Sequence, residues 1–292
     1  MQKNAKIIQR INSLQKCFLK LKDGNDALLR LLYEAEVSEQ VYNSNAIENS
    51  TLTLEETDRI LREINLDRFV TERELFEAKN LARVVAYIHQ VAPEKTLDLE
   101  MMLLLHKMLI SNIRDDIAGR IREGKEWVRV GSHIAADPLR LRELIHSMFV
   151  EYQSSGQDHI VKRIARFHLR FEHIHPFVDG NGRIGRVLNN YLLIREGHVP
   201  INIKFTDRSL YYDAFKAFDQ NEETKIMEQI VARSLTNSYH KRLAYLERLE
   251  IMPLNDFAKV TKQTHNNLIN KANRQTISAF LEKGRWMIGR DL

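Results

Sequence analysis

Apolar residues recur at three- and four-residue steps through most of the chain, the spacing of helices that bury one face. Ile160, Ile164, Phe167, Phe171 and Ile174 form one such series, and after a short polar turn Ile184, Val187, Leu188, Tyr191 and Leu192 resume it. The first series predicts a helix ending at His175, because Pro176 disfavours α geometry in the residue before it. The second predicts a helix beginning near Gly182. Helical spacing also marks residues 5–34, with Asp23-Gly24-Asn25 as the turn of a helical pair, and residues 72–92, 97–112, 206–218 and 224–249. Thr53 with Glu56 three residues later reads as a capping box that opens a further helix. Two stretches depart from the pattern. Val128 and Val130 alternate among the glycines of 119–134, and Thr276–Phe280 and Arg285–Ile288 flank Lys283-Gly284, so each predicts a short hairpin. With only 11 glycines and 5 prolines in 292 residues, the expected fold is mainly α.

Composition narrows the picture little. Hydrophobic residues make up 43% and the net charge is +5, which allows an acidic partner without requiring one. A single cysteine, Cys17, rules out an internal disulfide framework and fits a reducing compartment. No amino-terminal signal pattern is seen, and the longest apolar run, Met101 to Leu105, is far too short to cross a bilayer. A cytoplasmic protein with no membrane partner is expected. The chain divides on paper into an amino-terminal helical region (1–70), a core (71–250) and a carboxy-terminal module (251–292), with Pro253 as the break.

The chemistry concentrates in His175-Pro-Phe-Val-Asp-Gly-Asn-Gly-Arg-Ile-Gly-Arg186. Gly180 and Gly182 permit positive φ and close backbone approach, and the N–H groups that open the second helix have no partners within it, so the turn suits phosphate. Asp179 offers a hard oxygen for Mg²⁺. Arg183 and Arg186, three apart, share a surface from which phosphate oxygens can be reached. His175 is the candidate general base.

These twelve residues resemble the motif of Fic-domain proteins, His-x-Phe-x-(Asp/Glu)-Gly-Asn-Gly-Arg-x-x-Arg, at every defined position. The resemblance implies a Fic helical core with a short β-hairpin flap, and transfer of AMP from ATP to a Ser, Thr or Tyr hydroxyl of a target protein. It implies that Asp179 holds Mg²⁺ and that Gly180, Asn181, Gly182, Arg183 and Arg186 bind the triphosphate. Ser44-x-x-x-Glu48-Asn49 is similar to the inhibitory helix of class II members, in which the glutamate pairs with the second motif arginine, here Arg186. A bidentate carboxylate–guanidinium pair would compete with phosphate for the same donors. By the same resemblance, the flap near 119–134 docks the target by strand addition, with Val130, Gly131, Ser132 and His133 on the nucleotide side. Tyr212 and Tyr211 would lie against the adenosine. The chain departs from many relatives at Lys125-Glu126, where Gln-Asn is common, and at Asp219, where Asn is common.

Residues 254–292 resemble a small winged helix–turn–helix, with Asn266, Asn267, Asn270 and Lys271 on its second helix, which admits DNA as a partner and equally a protein. A homodimer is left open. Three rival readings stand beside AMP transfer: removal of AMP from a modified protein with Glu48 orienting water, a DNA-binding regulator with a Fic sensor core, and a zinc hydrolase built on His168, His173, His175 and Asp179. The last has no recognised zinc-ligand spacing.

Overall fold

The computed structural model describes residues 2–130 and 133–291. Among them the elements run α1 (Gln2–Lys22), α2 (Asp26–Ile47), α3 (Leu54–Leu61), α4 (Glu72–Val91), α5 (Leu99–Ile110), β1 (Arg129–Val130), β2 (His133–Ile134), α6 (Leu141–Ser154), α7 (Ile160–Ile174) and α8 (Asn181–Arg195). They continue with α9 (Arg208–Asn221), α10 (Lys225–Leu246), β3 (Glu250–Pro253), α11 (Leu254–Thr261), α12 (His265–Asn273), β4 (Ala279–Glu282) and β5 (Arg285–Arg290). The fold is mainly helical with small β elements, as the periodicity predicts. Two compact units are present, Val37–Val231 and Met1–Glu36 with Ala232–Leu292, and the divisions fall inside α2 and α10. None of the described helices is long and apolar enough to cross a membrane.

In the Val37–Val231 unit, α7 and α8 form the centre. The apolar series that predict them are all buried, and every residue from Arg183 to Leu193 is buried. A helix covered on all sides belongs to a core, so α8 packs against α4 and α5 as well as α7, while α7 also meets α6 and α9. Each fully buried leucine or isoleucine there contributes roughly 1.5–3 kcal/mol. Thr53 accepts from the Glu56 N–H at 3.1 Å and Glu56 accepts from the Thr53 N–H at 2.8 Å, the expected capping box of α3. Thr71 and Glu74 form a second one at α4.

The hairpin of 119–134 is shorter than its sequence predicts. Arg129 pairs with Ile134 and Val130 with His133, while residues 119–128 form no ladder. The reason is Arg122, which is fully buried. Its guanidinium takes the carbonyls of Glu126, Ala136, Ile174 and His175, and its own N–H bonds Pro176. Backbone groups that a longer ladder would satisfy are satisfied by this side chain instead.

In the other unit, α10 stops at Leu246, and Met252-Pro253 ends a strand where the sequence predicts a helix end. The strand order is β3-β5-β4, antiparallel, with Glu250 opposite Arg290 and Pro253 opposite Met287. Proline fits there because β3 is an edge strand and the missing N–H is lost at its last residue. Leu254, Ala258, Leu268, Ala272, Ala279 and Ile288 form the apolar centre of this part. Glu36, its side chain 12% exposed, pairs with Arg242 at 2.7 Å and Lys241 at 3.2 Å, and Lys241 also pairs with Glu282. Burial alone would push the Glu36 carboxyl up, but the two cations outweigh it and hold it below the ordinary range.

Candidate active site

His175 follows the last residue of α7 in the left-handed conformation, φ 51° and ψ 63°. Pro176 bars the right-handed helix, and a left-handed non-glycine residue costs roughly 1–2 kcal/mol. Arg122 offsets that cost by gripping the carbonyls on both sides of the turn, His175 O at 2.8 Å and Ile174 O at 3.2 Å. The His175 Nδ1 lies 3.3 Å from the Glu172 carbonyl. A carbonyl only accepts, so Nδ1 carries the proton and Nε2 keeps the lone pair. Burial first, with Arg122 behind it, pushes the imidazole down to about 4, so it is neutral at pH 7.

The loop that follows is braced from inside. Gly180 has φ 83°, and a Cβ there would sit 3.0 Å from Ile110 Cδ1. Asn181, expected to orient phosphates, spends both side-chain heteroatoms on the Phe177 backbone, at 2.9 and 2.8 Å. His106, fully buried on α5, accepts from the Gly119 N–H at 3.0 Å, so its Nε2–H donates to the Asp179 carbonyl at 3.0 Å. Its ring stacks on Phe177 at 3.7 Å, and burial lowers it to about 4, which keeps it neutral.

On the α4 side of α8, the Asp179 carboxylate meets Arg73 at 2.7 Å and Arg183 at 3.2 Å, while Arg183 also meets Glu77 at 3.0 Å. Arg183, expected to reach phosphate, is almost wholly buried in this network. Burial pushes Asp179 upward, but Arg183 and Arg73 outweigh it and keep the carboxyl ionised.

On the α2 side, Arg186 donates through Nε to Ser44 Oγ at 3.0 Å and through Nη1 to the Tyr211 hydroxyl at 3.1 Å. Its Nη2 donates to the Ser44 carbonyl at 2.8 Å and to Glu48 Oε1 at 2.9 Å. The Glu48–Arg186 ion pair is therefore present, but through one hydrogen bond and not the expected bidentate fork. The Ser44 carbonyl is one of the orphan acceptors in the last turn of α2, and it takes the remaining share. Asn49 explains the aim of Glu48. It sits at φ 70°, with Asn49 N–H on Ala46 O and Ser50 N–H on Asn45 O, the paired bonds of a Schellman ending. Only Gly or Asn takes that position readily, so the residue before it is turned out of the helix toward α8. A Cβ on Gly182 would collide with Glu48 Oε1, which places the carboxylate directly over the first turn of α8.

Tyr211, expected beside adenosine, is 1% exposed and lies between Arg186 and His168, whose Nε2 is 2.7 Å from its hydroxyl. It is a core residue that holds the arginine. Tyr212 is half-buried and donates to the Ile47 carbonyl at 3.2 Å, closing α2. Glu172 is a group that sequence reasoning missed. It lies buried one turn before His175, its Oε2 3.7 Å from His175 Nδ1, and a Cβ on Gly185 would fall 2.6 Å from its Oε1. Burial first, then the Glu48 charge, raises it to about 8, so it is protonated at neutral pH.

The four-residue zinc cluster is not assembled: His168 is buried against Tyr211, and His175 Nδ1 faces its own helix. On the flap, Val130 and His133 pair, while Gly131 and Ser132 lie outside the described residues.

Two core helices joined by this turn, with two buried arginines and a short hairpin beside it, make up the site. Residues 96–193 match the sequence model of the Fic/DOC family. The chain is 31% identical over 234 residues to "protein adenylyltransferase Fic" of Drosophila mojavensis, covering 76% of this chain and 46% of that protein. Against the Aedes aegypti protein of the same name it is 30% identical over 228 residues, covering 75% and 44%. The chain thus spans less than half the length of these relatives. A Fic-domain-containing signaling protein from Bacteroides thetaiotaomicron shares the fold with a TM-score of 0.72 at 23% identity, covering 83% of this chain and 97% of that one. A Fic family protein from Desulfovibrio desulfuricans does so at 0.66 and 18%, covering 97% and 96%. The chain contains a Fic domain related to those of Fic adenylyltransferases.

Proposed function

We propose that this chain is a protein adenylyltransferase, moving AMP from ATP to a Ser, Thr or Tyr hydroxyl of another protein, and that Glu48 holds it inactive. The observation that carries this reading is the position of the Glu48 carboxylate, over Gly182 and on Arg186 at the N-terminus of α8. A helix N-terminus with a glycine and a buried guanidinium binds an anion, and the anion now there belongs to the chain itself. When Glu48 withdraws, the triphosphate takes its place with a phosphate on Arg186. The hydroxyl gives its proton to Nε2 of neutral His175 while its oxygen bonds the α-phosphorus; the bond to the bridging oxygen breaks, and pyrophosphate leaves with the electron pair. Positioning and fixed donors supply most of such catalysis.

Asp179 fits an Mg²⁺ ligand: it is ionised, and a half-exposed Arg73 covers one of its oxygens and can yield to a cation. Mg²⁺ bound there supplies neutralisation of phosphate charge. Val130 and His133 offer a short strand edge for a target segment. The class II arrangement belongs to this reading, supported by Ser44 and Glu48 at the end of α2. So does a winged helix–turn–helix-like module, supported by α11, α12 and the β4–β5 hairpin.

The test is transfer of label from ATP into lysate proteins by the wild-type chain, Glu48→Gly and His175→Ala. Transfer raised in Glu48→Gly and absent in His175→Ala, with ATP affinity kept, is expected. No transfer by any of the three rejects the proposal, and wild-type release of AMP from a modified protein reverses its direction.

A further inference from the structure

We propose that His133, His173 and Asp219 form a binding site for a transition-metal cation of the zinc type, distinct from Asp179, which fastens the flap hairpin to the helix that carries the base. The three residues come from three elements: His133 from β2, His173 from α7 two positions before His175, and Asp219 from α9. One ring nitrogen from each histidine and one carboxylate oxygen lie within 4.8 Å of one another. With metal–ligand bonds of ~2 Å the ligand atoms around one tetrahedral cation stand ~3.3 Å apart, so small side-chain rotations would close these three onto an ion.

The donor set selects the metal. Two imidazoles and one carboxylate suit zinc and its first-row neighbours, whereas Mg²⁺ prefers oxygen alone. Three protein ligands leave a fourth position for water or an anionic oxygen. The surroundings favour loading. His133 Nε2 lies 3.0 Å from the His173 carbonyl, so that nitrogen carries the proton and the lone pair is on Nδ1. A ligating histidine that donates its other N–H to a backbone carbonyl is the usual outer arrangement of such sites. The two rings stack at 4.2 Å, and His173 Nδ1 lies 2.7 Å from Asp219 Oδ1. A cation takes the place of that hydrogen bond, leaving a nitrogen–metal–oxygen link, and the proton of the neutral His173 imidazole moves from Nδ1 to Nε2. His173 and Asp219 side chains are 38% and 27% exposed, so solvent metal reaches them without unfolding.

The consequence falls on the hairpin. Its described ladder is two residue pairs, Arg129 with Ile134 and Val130 with His133. A two-stranded ribbon of that length is marginal by itself. A metal held by His133 and by two helices would fix it.

The experiment is competition of Zn²⁺ between the full-length chain and a chromophoric chelator, repeated with Asp219→Asn, His133→Gln and Asp179→Asn. The expected result is one zinc equivalent in the wild type, weakened about tenfold or more by each of the first two substitutions and unchanged by the third. Zinc should also slow amide exchange at Val130 and Ala135 in the wild type alone. Asp219→Asn keeps the side-chain volume on a surface residue, and matched thermal melts establish that folding is retained. Equal zinc binding in wild type, Asp219→Asn and His133→Gln, or no wild-type binding at all, overturns the site. Binding with unchanged exchange at Val130 and Ala135 overturns the fastening.

Discussion

Arg183 and Arg186 stand three residues apart on α8, both almost wholly buried, and their partners come from different elements, α4 and the motif turn for the first and the end of α2 with α9 for the second. Arg183 joins Glu77, Asp179 and Arg73 in a network of two cations and two anions, so its charge is matched in place. Arg186 has Ser44, Tyr211 and a single oxygen of Glu48, whose side chain is 35% exposed. The carboxyls on the two sides respond in opposite ways. Asp179 is held ionised by its cations, whereas burial, with the Glu48 charge behind it, outweighs Arg186 at Glu172, which is raised to about 8 and stays protonated. One arginine is therefore part of the scaffold. The other is a buried cation whose anion is a partly exposed carboxylate on a helix end, which is what the proposed exchange of Glu48 for a phosphate requires.

The largest expected effect breaks the scaffold side. Glu77→Ala leaves Arg183 and Arg73 short of one carboxylate, and removal of one partner from a buried ion network should cost about 4 kcal/mol in denaturant melts. On the exchanging side, Glu48→Gly should cost less stability than that, because Glu48 is 35% exposed and Arg186 keeps Ser44 and Tyr211, and it should raise AMP transfer by about a hundredfold, equivalent to ~3 kcal/mol. Arg186→Ala should be inactive, and the double variant should match it. A Glu48→Gly rate within a few-fold of wild type, in folded protein, would show that the contact does not inhibit.

Glu172 sharpens the contrast through pH. In the unfolded chain its carboxyl titrates near 4.5 and in the folded chain near 8, so between those values folding takes up a proton. Its contribution is complete below pH 4.5 and is lost as pH rises toward 8. Glu172→Gln mimics the protonated acid and should add ~2–3 kcal/mol at pH 7 and nothing below about pH 4, read from melts at both pH values. The smallest effect is Ser44→Ala, which removes one acceptor from Arg186 and should loosen it by ~1 kcal/mol, a few-fold gain in transfer.

Much of this site was legible in the sequence, because its parts are local. The two motif helices follow from the spacing of Ile160 to Ile174 and Ile184 to Leu192, the turn from Pro176 and the glycines, and the Glu48–Arg186 contact from motif resemblance. What escaped depends on contacts between distant residues that leave no periodic trace. Arg122 grips a turn 52 to 54 positions downstream of itself. His106 reaches Asp179, 73 positions away, from what reads as an ordinary apolar helix. Glu172 looks like a polar position near a helix end until α8 and α9 cover it. β3 escaped for another reason: Glu-Ile-Met-Pro has no alternation, and its proline reads as a break.

Gly182 gives this arrangement an evolutionary consequence. The carboxylate of Glu48 can rest on α8 because residue 182 has no side chain, and the proposed phosphate would need the same bare backbone. If Glu48 inhibits transfer as proposed, mutations that crowd position 182 would evict its carboxylate and the phosphate together, which closes that route to a permanently active enzyme. Escape variants, natural or selected, should accumulate instead between Ser44 and Asn49, where the tether can be cut and the binding surface left whole.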